Sequence, residues 1–483
     1  MPLMLEKPFR DDLLRLLGPS SCLFEPHQIL VYECDGSTAF KSAPEAVVLP
    51  RSTEEVAAVV RLCDRAGVPF LARGAGTGLS GGATPREGGL VIALTRMNRL
   101  LDLDIQNRVA LCQAGLVNLE ISRAVASHGL YFAPDPSSQS SCTLGGNVAE
   151  NSGGPHCFKY GATTAHILGL TVVMPSGDVV HIGGPRDGVG YDLVGLFVGS
   201  EGTFGIATEA LIRLMPLPET AKTLLAPFRS MVTACEAVSR IVASGIVPAA
   251  LEMLDRPTIE VVEAGVIAAG YPRDAEAVLL VELDGAACGM DRLLAEVRRI
   301  CLERGAISVS VARDEAERAR LWLGRKAAFG AMGRMSTDLY VQDGVVPRSR
   351  LPETLERVAE IAAKYRIRVA NVFHAGDGNI HPCIPYDGRN EEEKERVLEA
   401  SREIMELCVA MGGSISGEHG IGTEKSSYMS LLFSEDDLAL MLAVRDVWNP
   451  KGLLNPAKVL PTGSSCGEKG SLPSVAASAG AWI

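Results

Sequence analysis

Two short segments hold the residues best suited to chemistry: Phe373-His374-Ala375-Gly376-Asp377-Gly378-Asn379-Ile380-His381 and, further on, Gly417-Glu418-His419-Gly420. Together they contain three of the chain's eight histidines, one of them beside a glutamate. Two imidazoles and a carboxylate held by tight glycine turns are what a catalytic divalent-metal site requires. Residues seven apart on a straight strand face opposite ways, so His374 and His381 meet one ion only if the chain reverses between them. Gly376-Asp377-Gly378 supplies that turn. Either histidine alone could be an ordinary strand-end residue. The pair with its turn, together with Glu418, points to a metal.

A second chemistry is written in glycine. Gly76-Thr77-Gly78-Leu79-Ser80-Gly81 fits the GxGxxG pattern, but Gly82-Ala83-Thr84-Pro85 cannot continue the helix that a Rossmann fold places next. A loop so rich in glycine still offers many backbone N–H groups to an anion. Taken alone it is equally a plain surface loop. Two further runs lie in the same half: Pro134-Asp135-Pro136-Ser137-Ser138 with Thr143 to Gly154, and Gly199 to Ile206. Three such segments would be costly in chain entropy unless they converge on a bulky polar ligand, and an extended dinucleotide with a flat ring system meets that need.

The elements that must position these residues alternate along the chain. Ser52 to Gly67 predicts a capped helix, with Ser52 and Glu55 in a capping-box spacing and Gly67 as the stop. Strands are expected at Val68–Arg73, Leu90–Leu94, Val109–Gln113 and Leu168–Met174, with a hairpin turn at Pro175-Ser176-Gly177-Asp178 and a helix over Val117–Ser127. Met215-Pro216-Leu217-Pro218 marks a break. Beyond it, amphipathic helices (Met231–Ser244, Arg292–Arg304, Pro352–Tyr365, Glu391–Met411) alternate with apolar strands (Val278–Leu283, Val369–Phe373). This predicts an α+β domain with helices on one face of an antiparallel sheet. Ser434 to Lys458 reads as a helix and a loop. The expected division is 1–217, 218–417, a C-terminal segment 418–460 and a mobile Ser/Gly/Ala-rich tail 461–483.

Composition narrows the function classes. With 46 basic and 58 acidic residues the net charge is −12, which argues against nucleic acid or an anionic membrane as the main partner. Twelve cysteines form no CxxC pair, so neither a zinc ribbon nor an iron–sulfur motif is present. The N-terminus lacks a signal peptide's apolar core, and no apolar run approaches the ~18 residues of a membrane span. A cytoplasmic chain with mostly free, buried cysteines is the expectation.

At residues 72–82, 134–154 and 199–206 the chain resembles the flavin-binding half of vanillyl-alcohol-oxidase-type FAD proteins. Residues 216–459 resemble the C-terminal domain of FAD-linked D-2-hydroxyacid oxidases and dehydrogenases, a family that includes the FAD-linked subunits of bacterial glycolate oxidases. The fold implied is a two-part flavin-binding domain with an α+β substrate (cap) domain and a short helical C-terminal segment. By this resemblance, Arg73, Gly74, Gly76, Thr77, Gly78, Leu79, Ser80 and Gly81 surround the FAD pyrophosphate. Pro134, Asp135, Ser137, Thr143, Gly145, Asn147, Asn151 and Gly153 line the flavin and its ribityl chain. Glu201, Gly205 and Ile206 run toward the adenine end, and Asn455 belongs to a terminal segment that returns to the cofactor, with Lys458 either beside it or a solvated tail charge. The 73–82 loop has neither histidine nor cysteine, so FAD is expected to be non-covalent.

The same resemblance implies a divalent metal, zinc by expectation, on His374, His381 and Glu418, where an α-hydroxy acid could chelate through its hydroxyl and carboxylate. His419 is the candidate general base, with a second metal ligand or an orienting residue as its alternatives. Arg325 would clamp the substrate carboxylate, and Asn379 would orient a ligand or touch the substrate. Relatives acting on longer diacids carry a further cation, which Asp338 to Gly344 lacks, so glycolate or D-lactate is expected over D-2-hydroxyglutarate. An iron–sulfur subunit and a second FAD-type subunit are the implied partners, with any inner-membrane attachment made through them. The rivals are a non-redox flavoprotein of the alkyl-glycerone-phosphate synthase type and a subunit whose FAD is only structural.

Overall fold

The structure is a computed structural model and describes residues 5–185, 190–265 and 268–461; the expected tail lies outside these residues apart from Pro461. Strands β1 (Ala46–Val48), β2 (Phe70–Arg73) and β3 (Leu90–Ala93) form a small parallel sheet in the order β1-β3-β2, extended by an antiparallel edge at Cys22–Leu23. Helix α1 (Thr53–Ala66) crosses between β1 and β2. Its N-cap Ser52 accepts the Glu55 N–H and Gly67 closes it in the left-handed conformation. The other half of the predicted capping box is displaced by one residue, because the Glu55 carboxylate takes the Arg51 N–H and not that of Ser52.

An antiparallel sheet of five strands follows: β4 (Leu100–Asp104), β5 (Val109–Gln113), β6 (Ile167–Val173), β7 (Val179–Gly183) and β8 (Ile206–Arg213), in the order β4-β5-β8-β6-β7. The expected turn joins β6 to β7, with Gly177 at φ +85°. Sequence reading misses one element here. Thr143 to Glu150 looks like loop because of Gly145 and Gly146, yet Leu144–Glu150 is a helix, α2, capped by the Thr143 side chain. Gly145 is required there because a Cβ would lie 2.7 Å from the Ala114 Cβ.

The third sheet has eight strands and is antiparallel. Its main members are β9 (Thr220–Phe228), β10 (Ala250–Asp255), β11 (Ala277–Gly285), β12 (Asp338–Val341), β13 (Ala370–His374) and β14 (Asn379–Tyr386), in the order β9-β11-β10-β13-β14-β12. Helices α3 (Met231–Ala243), α5 (Met290–Glu303), α8 (Leu351–Tyr365) and α9 (Glu391–Ala410) cover one face, burying Leu224, Met253, Val281, Phe373 and Ile380. Their period of 3.6 was visible in sequence because each has one wet side. The opposite face holds Leu254, Leu280, Val372 and Cys383 under α4 (Arg256–Glu263), α6 (Glu315–Lys326) and α7 (Ala328–Met332). Helices therefore cover both faces, which is why β14 is buried at every position and shows no alternation. After α10 (Glu435–Trp448) the chain returns to the first sheet, where Phe70 N–H donates to Leu453 and Asn455 N–H to Phe70.

Candidate metal and flavin site

The antiparallel hairpin β13–β14 sets the geometry. His374 pairs with Asn379 and Val372 with His381, so His374 and His381 share a face, as do residues two apart on one strand. The turn reverses at Gly378, φ +76°, where a Cβ would sit 2.1 Å from the Val346 carbonyl. Strand β10 adds Glu252 directly across from His374. Glu418 reaches over from the 416–420 loop, its Oε1 3.0 Å from His374 Nε2 and 3.3 Å from His381 Nε2.

The two outward nitrogens are occupied: His374 Nδ1 lies 2.8 Å from Glu252 Oε1 and His381 Nδ1 lies 3.1 Å from the Gln342 carbonyl. Both Nε2 atoms are thereby turned toward Glu418, His381 Nε2 at a distance of 3.3 Å but without a well-aligned hydrogen bond. Three ligand atoms within 4.8 Å, each histidine oriented by a carboxylate or carbonyl, suit zinc or a similar divalent ion. Burial opposes charge on both His374 and Glu418. Even so, Glu252 and Glu418 hold the His374 pKa up at about 10, and the two imidazoles hold Glu418 well below the usual carboxylate range.

The loop carrying Glu418 is pinned from beneath by Asp343, a wholly buried carboxylate. It accepts the N–H groups of Gly417, Glu418 and His419, the Ser416 hydroxyl and the Lys425 ammonium. His419 stacks on His381 at 4.8 Å with rings nearly parallel, and its Nδ1 has no partner. Burial pushes its pKa down to about 4 against the pull of Asp343, so the imidazole is neutral in ordinary conditions.

Arg325 is fully buried, its Nε 2.7 Å from Glu252 Oε2 and its Nη1 unpartnered. It does not line the cleft described below. Asn379 is buried against the same loop, where a Cβ on Gly417 would meet its Nδ2 at 2.4 Å, and its Oδ1 is unpartnered.

Glu418 and His419 open onto a cleft of about 470 Å³ between the first two sheets and α6–α7. The glycine segments meet along it. Arg73, Gly74, Gly76, Thr77, Gly78, Leu79, Ser137, Thr143, Gly145, Asn147, Gly153, Glu201, Gly205, Ile206 and Asn455 all line its wall. Gly74 approaches Thr143 so closely that a Cβ would sit 2.2 Å from Oγ1, and one on Gly153 would sit 2.7 Å from Glu418 Oε2.

Five residues expected at the cofactor lie off the wall. Ser80 is wholly buried, its carbonyl taking the Thr423 and Glu424 N–H groups, and Gly81 stands behind it at φ +75°. The Pro134 carbonyl accepts from Asn118, and Asn151 ends α2 with its side chain on Thr164 N–H. Asp135 turns to His156, 2.8 Å from Nδ1. Lys458 is buried too, donating to the carbonyls of Gly82 and Thr84, and is no solvated tail charge.

Three buried acids around the site escape sequence reading: Glu252, Asp343 and Glu282. Glu282 collects Thr223, His156, Arg318 and Trp322 around one buried carboxylate. A signal did exist for two of them. Ala250-Leu251-Glu252-Met253-Leu254 and Leu279-Leu280-Val281-Glu282-Leu283 each set one acid inside an apolar strand, where an unpaired charge is untenable.

A sequence model described as an FAD binding domain matches residues 44–183, and one described as FAD linked oxidases, C-terminal domain, matches residues 217–459. Glycolate oxidase subunit GlcD of Escherichia coli (strain K12) is 48% identical over 451 residues, covering 93% of this chain and 90% of that protein. Its Bacillus subtilis (strain 168) counterpart is 41% identical, covering 94% and 97%. A D-lactate dehydrogenase of Archaeoglobus fulgidus is 35% identical, covering 86% and 91%. Among solved structures, p-cresol methylhydroxylase with substrate bound aligns at TM-score 0.81 and 18% identity, covering 94% of this chain and 96% of that one. An alkyldihydroxyacetonephosphate synthase aligns at 0.75 and 19%, covering 94% and 86%. The architecture is thus the two-part α+β fold of vanillyl-alcohol-oxidase-type FAD proteins, and the chain belongs to the FAD-linked oxidases.

Proposed function

We propose that this protein oxidises a small 2-hydroxy acid, glycolate to glyoxylate or D-lactate to pyruvate, with non-covalent FAD in the glycine-lined cleft and zinc or a similar ion on His374, His381 and Glu418. One observation carries the reading: Glu418, which lies against both His374 and His381, and His419 beside it line the same cleft as the three glycine segments. FAD supplies a two-electron acceptor, and the ion supplies Lewis acidity that lowers the pKa of a coordinated hydroxyl. His419, neutral and with Nδ1 free, takes the hydroxyl proton as the α-hydrogen departs. Arg325, fully buried and off the cleft wall, pairs with Glu252 and through it steadies His374, leaving the substrate carboxylate to the ion, and Asn379 holds Gly417 and the loop carrying Glu418 in place. The off-wall residues Ser80, Gly81, Pro134, Asp135 and Asn151 act by fixing the loops that touch FAD.

Close relatives are subunits by name. We infer that the electrons pass to an iron–sulfur partner, with a second FAD-type subunit in the assembly. In this reading the chain is cytoplasmic and meets the inner membrane through those partners; among the described residues no helix is long and apolar enough to cross a membrane. Anaerobic stopped-flow with both enantiomers of small hydroxy acids tests the reading. Rapid bleaching of the flavin band by glycolate or D-lactate is the expected result. A flavin that stays oxidised with every acid favours a non-redox or structural role.

A further inference from the structure

The cleft wall facing the metal triad is made of carbon. Phe329 on α7 stands edge-on to His381, with ring centroids 6.1 Å apart and planes at 69°. Leu339 and Val341 lie two apart on β12 and share its cleft-facing side, while Tyr340 between them turns into the opposite core. Leu79 of the glycine loop packs in the same apolar cluster. Phe329, Leu339 and Leu79 are each only half-buried, so this apolar surface is left for something in the cleft to cover. The two long cations along the cleft lie elsewhere: Arg73 sits over Tyr32 and Lys326 is 3.7 Å from Asp135.

On the proposed function, the tetrahedral carbon C2 has three of its four substituents assigned. The hydroxyl goes to the ion and His419, the carboxylate to the ion, and the hydrogen to the flavin. The fourth substituent must point away from all three, and the apolar wall is the remaining side. We infer that Phe329 is a specificity-determining residue whose ring limits that substituent to hydrogen or methyl, with Leu339 and Val341 rejecting a charged one. Lengthening the substituent drives it into the ring, whereas a distal carboxylate there would be stripped of water without a partner. Pocket discrimination of this kind spans about 10–200-fold per methylene.

The test is anaerobic flavin reduction by glycolate, D-lactate, D-2-hydroxybutyrate, D-2-hydroxyvalerate and D-2-hydroxyglutarate, in wild type, Phe329→Leu and Phe329→Ala. The kcat/KM ratio of D-2-hydroxyvalerate to glycolate should rise about tenfold or more in Phe329→Ala and by less in Phe329→Leu, with D-2-hydroxyglutarate remaining poor. If Phe329→Ala does not fold with FAD, Phe329→Leu and Leu339→Ala carry the same ratio. A single factor lowering every substrate alike would mean Phe329 only supports the fold, overturning the inference alone. A wild-type flavin that none of the acids reduces would overturn the proposed function and the wall with it.

Discussion

His419 is asked to be a base inside a shell of charge, and its surroundings explain how. Its backbone is tied to Asp343 while its ring stacks on His381 and keeps Nδ1 free. Replacing it with asparagine preserves a polar side chain but removes the proton acceptor. His419→Asn should slow flavin reduction about 10²–10⁴-fold while leaving FAD bound per protein unchanged; parallel loss of both would contradict the assignment. Glu252 acts one step further out, orienting His374 on one oxygen and balancing Arg325 on the other. Glu252→Gln should weaken zinc binding about 10–100-fold in a chelator competition, and unchanged affinity would refute its orienting role. That His374 and His381 share one face was legible because a glycine turn lies between them. An acid inside an apolar strand marks Glu252, but its partners and those of Asp343 were not legible, because nothing local reports which segment lies opposite which.

Elements join through buried carboxylates. His156, on the loop after α2, bridges Asp135 of the flavin half and Glu282 of β11, with Arg318 and Trp322 of α6 completing the cluster and Lys326 beyond Asp135. Burial alone would lower the imidazole's pKa, but Asp135 and then Glu282 raise it to about 10, and both acids are held below their ordinary range. A raised folded-state value stabilises fully below the unfolded value of ~6.5 and loses that stabilisation as pH climbs to about 10. His156→Gln should therefore lower Tm by ~5 °C near pH 6, a gap that narrows toward pH 10. A gap independent of pH would show that His156 acts only by packing. Among helices, α1 was readable from its caps, whereas α2 was hidden by Gly145 and Gly146, the first of which serves close approach to Ala114 and not flexibility.

For the whole molecule, Glu201 is where the halves meet. Held at φ +51° in the flavin half, it accepts the N–H groups of Ile421 and Gly422, just beyond His419, while its carbonyl takes the Asn455 side chain from the C-terminal segment. Sequence suggested that the stretches around Glu201 and Asn455 serve one cofactor. It could not show that Glu201 also braces the loop after His419, since contacts spanning over two hundred residues leave no periodicity. Fold class and the order of elements followed from amphipathic helices with a wet side. The sheet covered on both faces hid its polar row, from Thr223 and Glu282 through Glu252 to His374 and His381, because the surrounding strands are uniformly apolar.

On the proposed function a cation and a flavin act on one substrate, so its oxidation should depend on both. The most direct measurement is the rate of anaerobic flavin reduction by glycolate or D-lactate in protein stripped of metal by a chelator and then replenished with zinc, with FAD retained throughout. Reduction should fall at least about a hundredfold on stripping and return on replenishment; reduction at full rate in the stripped, FAD-loaded protein would contradict the account.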